Sequence, residues 1–340
     1  MTAFALLMLG FVVCLGAAMA AIRWVAPLGL IDSPGPRKLH LNPTPRTGGI
    51  ALWFSLSLAQ LLGWLHLPIT TEEWLCLHGL ALLGALDDRF SLSARVKAWT
   101  GFGLAITLAI PVAQAFALDR PFALLMKIPI PTSPPWFTLP LLVLWFWALP
   151  QAMNLIDGLN GLATGLALLA SAFMLFGGKP LGAPFLLGAL LAVFILNWPK
   201  AFHFLGDCGA YFLGGLLGLL ALRTRAFVYP SLALWIFAYP IFDMTLVIVI
   251  RLLHGHPLGN GDRNHLHHQW SRVLGPKAGW TPPLLWLQAA ALGVGPTGFP
   301  GSAYLCWPAL GIMVAQCGFF AYRSLHRSLG TSPIEIDRTP

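Results

Sequence analysis

Apolar runs alternate with short polar breaks along almost the whole chain. The runs fall at about residues 3–22, 49–65, 74–86, 98–118, 139–153, 162–176, 184–198, 210–222, 230–250, 282–293 and 303–322. A stretch of about 20 apolar residues crosses a bilayer as a helix, and backbone polar groups inside lipid must be satisfied within the protein. The pattern predicts an all-α polytopic membrane protein with about eleven (10–11) transmembrane helices. Several runs are shorter than a full span. Such helices extend through flanking residues or stop part-way and leave a polar cavity at membrane depth. Residues 1–322 read as a single integral-membrane domain and 323–340 as a short polar tail. The segment 31–48 is rich in Pro and Gly and reads as a loop, and the Pro-rich 119–138 connection reads as an external one.

Composition agrees with the pattern. Apolar residues make up 57% of the chain and charged residues 9%, against roughly 25% charged in a soluble domain. A net charge of +8 suits anionic lipid and anionic substrates. The Lys and Arg residues are dispersed and form no basic helix, which excludes nucleic acid as a partner. No Lys or Arg precedes the first run and Arg23 follows it, so the run reads as an uncleaved helix with its N-terminus outside. That topology puts fifteen Lys and Arg residues on inside segments and five on outside ones, the sense the positive-inside rule requires. The five cysteines lie mostly within apolar runs at spacings that fit neither a metal nor a redox pair and read as small core residues.

The same topology places four polar motifs on the cytoplasmic side. Asp87 and Asp88 end the 74–86 run and are followed at once by Arg89, Arg95 and Lys97. Ionised carboxylates at the end of a membrane helix are costly, and two neighbours repel, so a metal ion or basic groups must hold them. A solvated helix end is the competing reading. In NLIDGLNG (154–161), Asn154 and Asp157 share a helix face, and Gly158 and Gly161 allow close backbone approach. A glycine-broken helix junction is the plain alternative. Asp207, between Gly206 and Gly209, opens the 210–222 run, where an N-cap and a metal or phosphate site are compatible. In DRNHLHH (262–268), Arg263 and the histidines 265, 267 and 268 suit phosphate contact better than tetrahedral zinc. Arg37, Lys38, His40 and Arg46 precede Gly48-Gly49, as a functional cluster or simply a basic anchor on the inner face.

Taken together, DSPGPRKLH and PRTGG, LDDRFSLSARVK, NLIDGLNGLATG, FLGDCGAYFLGG and DRNHLHH, in this order from Asp32 to His268, resemble the bacterial polyprenyl-phosphate N-acetylhexosamine-1-phosphate transferase family (glycosyltransferase family 4). The HLHH form is similar to the WecA side of that family and less so to the MraY translocase. The resemblance implies an MraY-like helical bundle in the inner membrane with a cytoplasmic active site. The implied reaction is transfer of N-acetylhexosamine 1-phosphate from a UDP-sugar to undecaprenyl phosphate with release of UMP, the first membrane step of cell-surface polysaccharide synthesis. It further implies Mg²⁺, with Mn²⁺ as an alternative, held by Asp207 with Asn154 as second ligand. Asp87, Asp88, Asp157 and His267 are implied catalytic residues. Lys38, Lys97, Asn160, Asn197, Phe204, Arg263, His265 and His268 are implied substrate contacts, Asn197 and Phe204 at the uridine. Undecaprenyl phosphate, the UDP-sugar and the bilayer are the implied partners, and a homodimer is compatible with the reading. Many family members carry a second Asp where this chain has Asn160, which is expected to hydrogen-bond rather than act as a base.

Two other readings stay open at this point. An MraY-like transferase of a muramyl-peptide uses the same chemistry. A secondary transporter of a nucleotide-sugar or lipid also places Asp and broken helices in the membrane, but needs paired repeats and polar residues near the midplane. The acidic residues here fall at run ends on one side, which favours the enzyme.

Overall fold

The computed structural model describes residues 2–34, 42–119, 135–178, 182–223, 231–256, 264–294 and 303–328. Its helices are α1 (Ala3–Ala20), α2 (Gly48–Leu61), α3 (Thr71–Phe90), α4 (Ala94–Asp119), α5 (Pro135–Ile156), α6 (Leu162–Gly178), α7 (Ala183–Asn197), α8 (Gly206–Arg223), α9 (Ser231–Ile236), α10 (Ala238–Leu253), α11 (Leu266–Leu274), α12 (Thr281–Val294) and α13 (Ala303–Ser328). One two-stranded antiparallel ribbon, β1 (Ile31–Asp32) and β2 (Thr44–Pro45), pairs Ile31 with Pro45 and Asp32 with Thr44.

The protein is an all-α polytopic membrane protein, and each predicted run lies on a helix. The differences concern ends and breaks. The 230–250 run is divided at Phe237 into α9 and α10. The 74–86 run is only the middle of α3, which starts at a Thr70–Glu73 capping box and continues through Asp87 and Asp88 to Phe90. Hydropathy marks where lipid contact ends, whereas helical hydrogen bonding continues until a cap or a backbone reversal stops it. Ser91, with φ of 50°, provides that reversal. Helix α13 runs on to Ser328, so the polar tail begins as helix. Among the described residues, three helical stretches, Ala3–Leu28, Ala94–Gln114 and Thr138–Ile156, have the length and hydropathy to cross a bilayer. The central part of the 119–138 connection lies outside the described residues.

Helix α8 is the centre of the bundle. It is apolar on all sides and buried from Cys208 to Ala221, packed between α3 and α5 with α2 alongside its first turns, as expected of a helix that is apolar all round. Small residues bring its neighbours close. Gly84 of α3 faces the backbone of Asp207, and Gly214 faces the backbone of Pro150 in α5, where any Cβ would collide. Large apolar side chains such as Phe4, Trp24, Trp99 and Leu287 point outward, the surface that lipid covers. At the other end of α3, Glu73 is fully buried and forms an ion pair with Arg223 at the end of α8.

Candidate active site

The C-terminal end of α3 meets the N-terminal end of α8, and this junction assembles the carboxylates. The Asp88 side chain reaches across to α8 and accepts hydrogen bonds from the backbone N–H of Asp207 (3.1 Å) and of Cys208 (3.0 Å). It thus caps a helix other than its own. A carboxylate suits this place, because the first N–H groups of a helix lack intrahelical partners and carry the positive end of its dipole. Gly206 turns the chain into α8 with φ of 74°, and a Cβ there would press on the Asp88 carboxylate at 2.7 Å. Asp207 itself sits in the first turn of α8, not at the N-cap.

Asp87 points differently. Its Oδ1 accepts the backbone N–H of Leu92 at 2.7 Å, closing the turn after α3, and its Oδ2 receives Lys97 Nζ at 2.7 Å. The Asp87 and Asp207 carboxyl groups also share a hydrogen bond. Arg46, at the end of the ribbon, donates to Asp32 at 2.5 Å and lies 3.8 Å from Asp88. Asp157 follows α5 directly. Desolvation, then the charge of Asp88, push its carboxyl well above the ordinary carboxylate range, against the opposing effects of the Gly206 N–H and Arg46. Asp87, Asp88, Asp157 and Asp207 therefore form one centre.

The residues beside this centre serve the turns that build it. Asn154 hydrogen-bonds Tyr211 of α8. Asn160 donates to the Pro199 carbonyl at 3.3 Å. Asn197, only 2% exposed, accepts from Gly161 N–H at 2.7 Å and Thr164 Oγ1 at 3.3 Å, and donates to the His203 carbonyl at 2.9 Å. These bonds tie the start of α6 to the loop before α8. Phe204 bonds through its backbone to Pro45 and Gly48 and so joins that loop to the ribbon. His203, in the same loop, is fully buried, and desolvation lowers its pKa to about 4 against the opposing pull of the Val193 carbonyl, which accepts from the ring. Lys38 and Arg263 lie outside the described residues.

The histidines come to the centre on α11, a short amphipathic helix that the hydropathy pattern did not reveal. His265, His267 and His268 cluster, with rings 265 and 267 stacked at a centroid distance of 5.3 Å and rings 267 and 268 tilted at 4.3 Å. His267 has no exposed surface and packs against Gly158, where a Cβ would stand 2.7 Å from its Nε2. Desolvation first, and then the neighbouring imidazoles, lower its pKa well below the usual histidine value. His267 is thus a neutral, enclosed ring against the Asp157 turn, and His268 is the partly exposed member of the group. Sequence reasoning missed Asp243 of α10, which holds His265 at 2.6 Å. The available signal was an acid within an apolar run. It also left Asp32 without a site role and did not place Arg46 beside the carboxylates.

The family model for glycosyl transferase family 4 matches residues 73–225, which contain the whole carboxylate centre. The probable undecaprenyl-phosphate N-acetylglucosaminyl 1-phosphate transferase of Bacillus subtilis (strain 168) is 31% identical over 269 residues, 73% of this chain and 71% of that protein. The chain belongs to glycosyl transferase family 4. The undecaprenyl-phosphate alpha-N-acetylglucosaminyl 1-phosphate transferases of Salmonella typhi and Escherichia coli (strain K12) are 29% and 28% identical, over 79% and 71% of this chain and 77% and 69% of those proteins.

The site of this family member fits a divalent cation. Four carboxyl groups meet two cations that touch them among the described residues, Lys97 and Arg46. Arg46 is also paired with Asp32, so carboxyl groups outnumber the cations, a surplus of acid that suits a divalent ion. Two carboxyl oxygens in hydrogen-bond contact, as at Asp87 and Asp207, need a proton or a cation between them.

Proposed function

We propose that the protein transfers an N-acetylhexosamine 1-phosphate from a UDP-sugar to undecaprenyl phosphate, giving the lipid diphosphosugar and UMP, at the cytoplasmic face of the bacterial inner membrane. One observation carries this reading. A compact carboxylate centre with two cations lies at one end of an apolar bundle, where a lipid-bound acceptor and a water-borne donor can meet. N-acetylglucosamine is the first sugar to test, because it stands in the names of the relatives. Asp207 would hold Mg²⁺, with Asp87 against it and Asn154 as a further ligand. The ion, when bound, supplies neutralisation of the diphosphate charge.

The chain's own residues do the rest. Arg46, braced by Asp32, presents its guanidinium beside Asp88 and can take phosphate oxygens in a fixed fork. Lys97, held by Asp87, adds a second cation next to Asp207. An acceptor phosphate with a second pKa of about 6 is mostly dianionic at neutral pH and needs little help from a base. Its oxygen attacks the β-phosphorus, the bond to the UMP oxygen breaks, and UMP leaves. The structure supports direct attack over a covalent aspartyl intermediate, because both oxygens of Asp87 and both of Asp88 already bond protein groups. The test is a membrane assay with undecaprenyl phosphate, Mg²⁺ and a panel of radiolabelled UDP-sugars, scored for butanol-extractable product. UDP-N-acetylglucosamine or another UDP-N-acetylhexosamine should label the lipid, and no lipid product from any member of the panel would overturn the reading.

A further inference from the structure

Asp243 lies in the first half of α10, and His265, at the start of α11, stands beside it. About ten residues of α10 follow Asp243, roughly 15 Å of helix at 1.5 Å per residue. His265 therefore sits that length back from the C-terminal end of α10. Asp243 has no exposed surface. Its Oδ2 lies 2.6 Å from His265 Nδ1, and its Oδ1 accepts the backbone N–H of Leu266 at 2.5 Å. His265 occupies the N-cap position of α11 but makes no capping bond with its own side chain, so Asp243 provides that cap from another helix. The second ring, His267, then lies 3.9 Å from Asp243 Oδ1 and against Gly158, next to Asp157.

A carboxylate in a closed site that takes the Nδ1–H of an imidazole fixes its tautomer and ring orientation, and leaves Nε2 as the nitrogen available to a ligand. We infer that Asp243 is a positioning residue for the phosphoryl transfer, acting through His265: one oxygen sets the tautomer and aim of His265, and the other seats α11 so that the histidine group closes on the Asp157 turn. This rests on the transferase reading for what His265 contacts, a phosphate oxygen of donor or acceptor, and the arrangement of Asp243 itself is independent of it.

The same three side chains, Asp243, His265 and His267, bring one potential ligand atom each to within 4.8 Å of one another, so a bound metal is the rival reading. The 2.6 Å separation of His265 and Asp243 is that of a hydrogen bond, and one Asp243 oxygen is already held by a backbone N–H. Both facts favour the positioning role.

The experiment is a double-mutant cycle on the full-length protein in detergent. Asp243→Asn and His265→Ala should each lower kcat/KM by about tenfold to a hundredfold, as for loss of one hydrogen bond to a charged group. The double variant should be no worse than the poorer single variant, within about threefold, because Asp243 acts only through His265. A structural role without aim at His265 gives multiplied losses and overturns the inference, as does wild-type turnover in Asp243→Asn. A readout free of the reaction separates this from failure of the transferase reading. Diethyl pyrocarbonate should modify His265 slowly in the wild type and at least fivefold faster in Asp243→Asn, mapped by mass spectrometry. An unchanged rate sinks the inference even if no substrate is turned over. Elemental analysis completes the set: one zinc per chain, lost in Asp243→Asn, would replace the positioning role with a metal centre.

Discussion

Asp88→Asn separates a structural from a chemical role for the acidic pair. The wild-type carboxylate accepts two backbone N–H groups at the start of α8 and faces Arg46. The amide retains one oxygen, so one of the two N–H groups confronts an NH₂ and is left unsatisfied at a cost of about 1–3 kcal/mol. Loss of the charge at a helix N-terminus adds about 0.3–2 kcal/mol. Because α8 is the most enclosed helix of the bundle, no outward movement relieves the conflict, and we expect a total near 2–4 kcal/mol. Thermal unfolding in detergent, followed by tryptophan emission at one scan rate, should show a melting temperature several degrees below wild type. Turnover at a temperature where the variant is folded should fall as well, since Asp207 rides on the same turn. A variant with an unchanged melting temperature and no activity would refute the capping argument and return Asp88 to the chemistry itself.

Asp207→Asn should abolish Mg²⁺-dependent turnover without lowering the melting temperature, since it removes a carboxyl from a crowded anionic centre; near-normal activity at ordinary Mg²⁺ would remove Asp207 from the metal site. Glu73→Gln leaves Arg223 without its buried partner and should cost about 3–5 kcal/mol, read as lost thermal stability, while KM for the donor stays put because the pair lies at the far end of α3. His203 has a folded pKa near 4 against 6.5 for the free group, so the unfolded chain binds more protons between those values. Stability should therefore be full above pH 6.5 and fall as pH drops toward 4, by roughly 3 kcal/mol, and His203→Phe should flatten that slope in a pH series of melting temperatures. Lipid-stripped enzyme should not exchange labelled UMP into UDP-sugar without acceptor; such exchange would establish a covalent intermediate in place of direct attack.

The sequence announced the carboxylates because each breaks a local rule. Asp87, Asp88, Asp157 and Asp207 are charges at the ends of apolar runs, where an ionised group is still costly unless it is held, and their spacing along the chain follows the spacing of helices. The all-helical fold was legible for the same reason, since lipid leaves the backbone few other options. The ends of α3 were not legible, because a capping box and a left-handed Ser91 set them rather than hydropathy. Helix α11 was hidden because it is short and polar on one side. Asp243 was hidden because a single acid within a run leaves the average hydropathy high. The work done by Asn197 was also out of reach: its partners Gly161, Thr164 and His203 are brought to it only by the packing of α6 and α7.

The order of these parts along the chain sets an order of assembly. Everything from Arg46 to Asp207 is synthesised before the segment that carries Asp243, His265 and His267. At about 5–20 residues per second, the 60 residues between Asp207 and His267 take several seconds to emerge. During that interval α3 and α8 can already be joined through Asp88, with the anionic centre formed and open on the side where the Asp157 turn awaits its cover. Completion then depends on α10 and α11 arriving together, since the acid that seats the histidines lies on one and the histidines on the other. A ribosome stalled between them would hold a centre able to gather cations but lacking its last wall, so the segment carrying α10 and α11 acts as the step that commits the membrane bundle to its task.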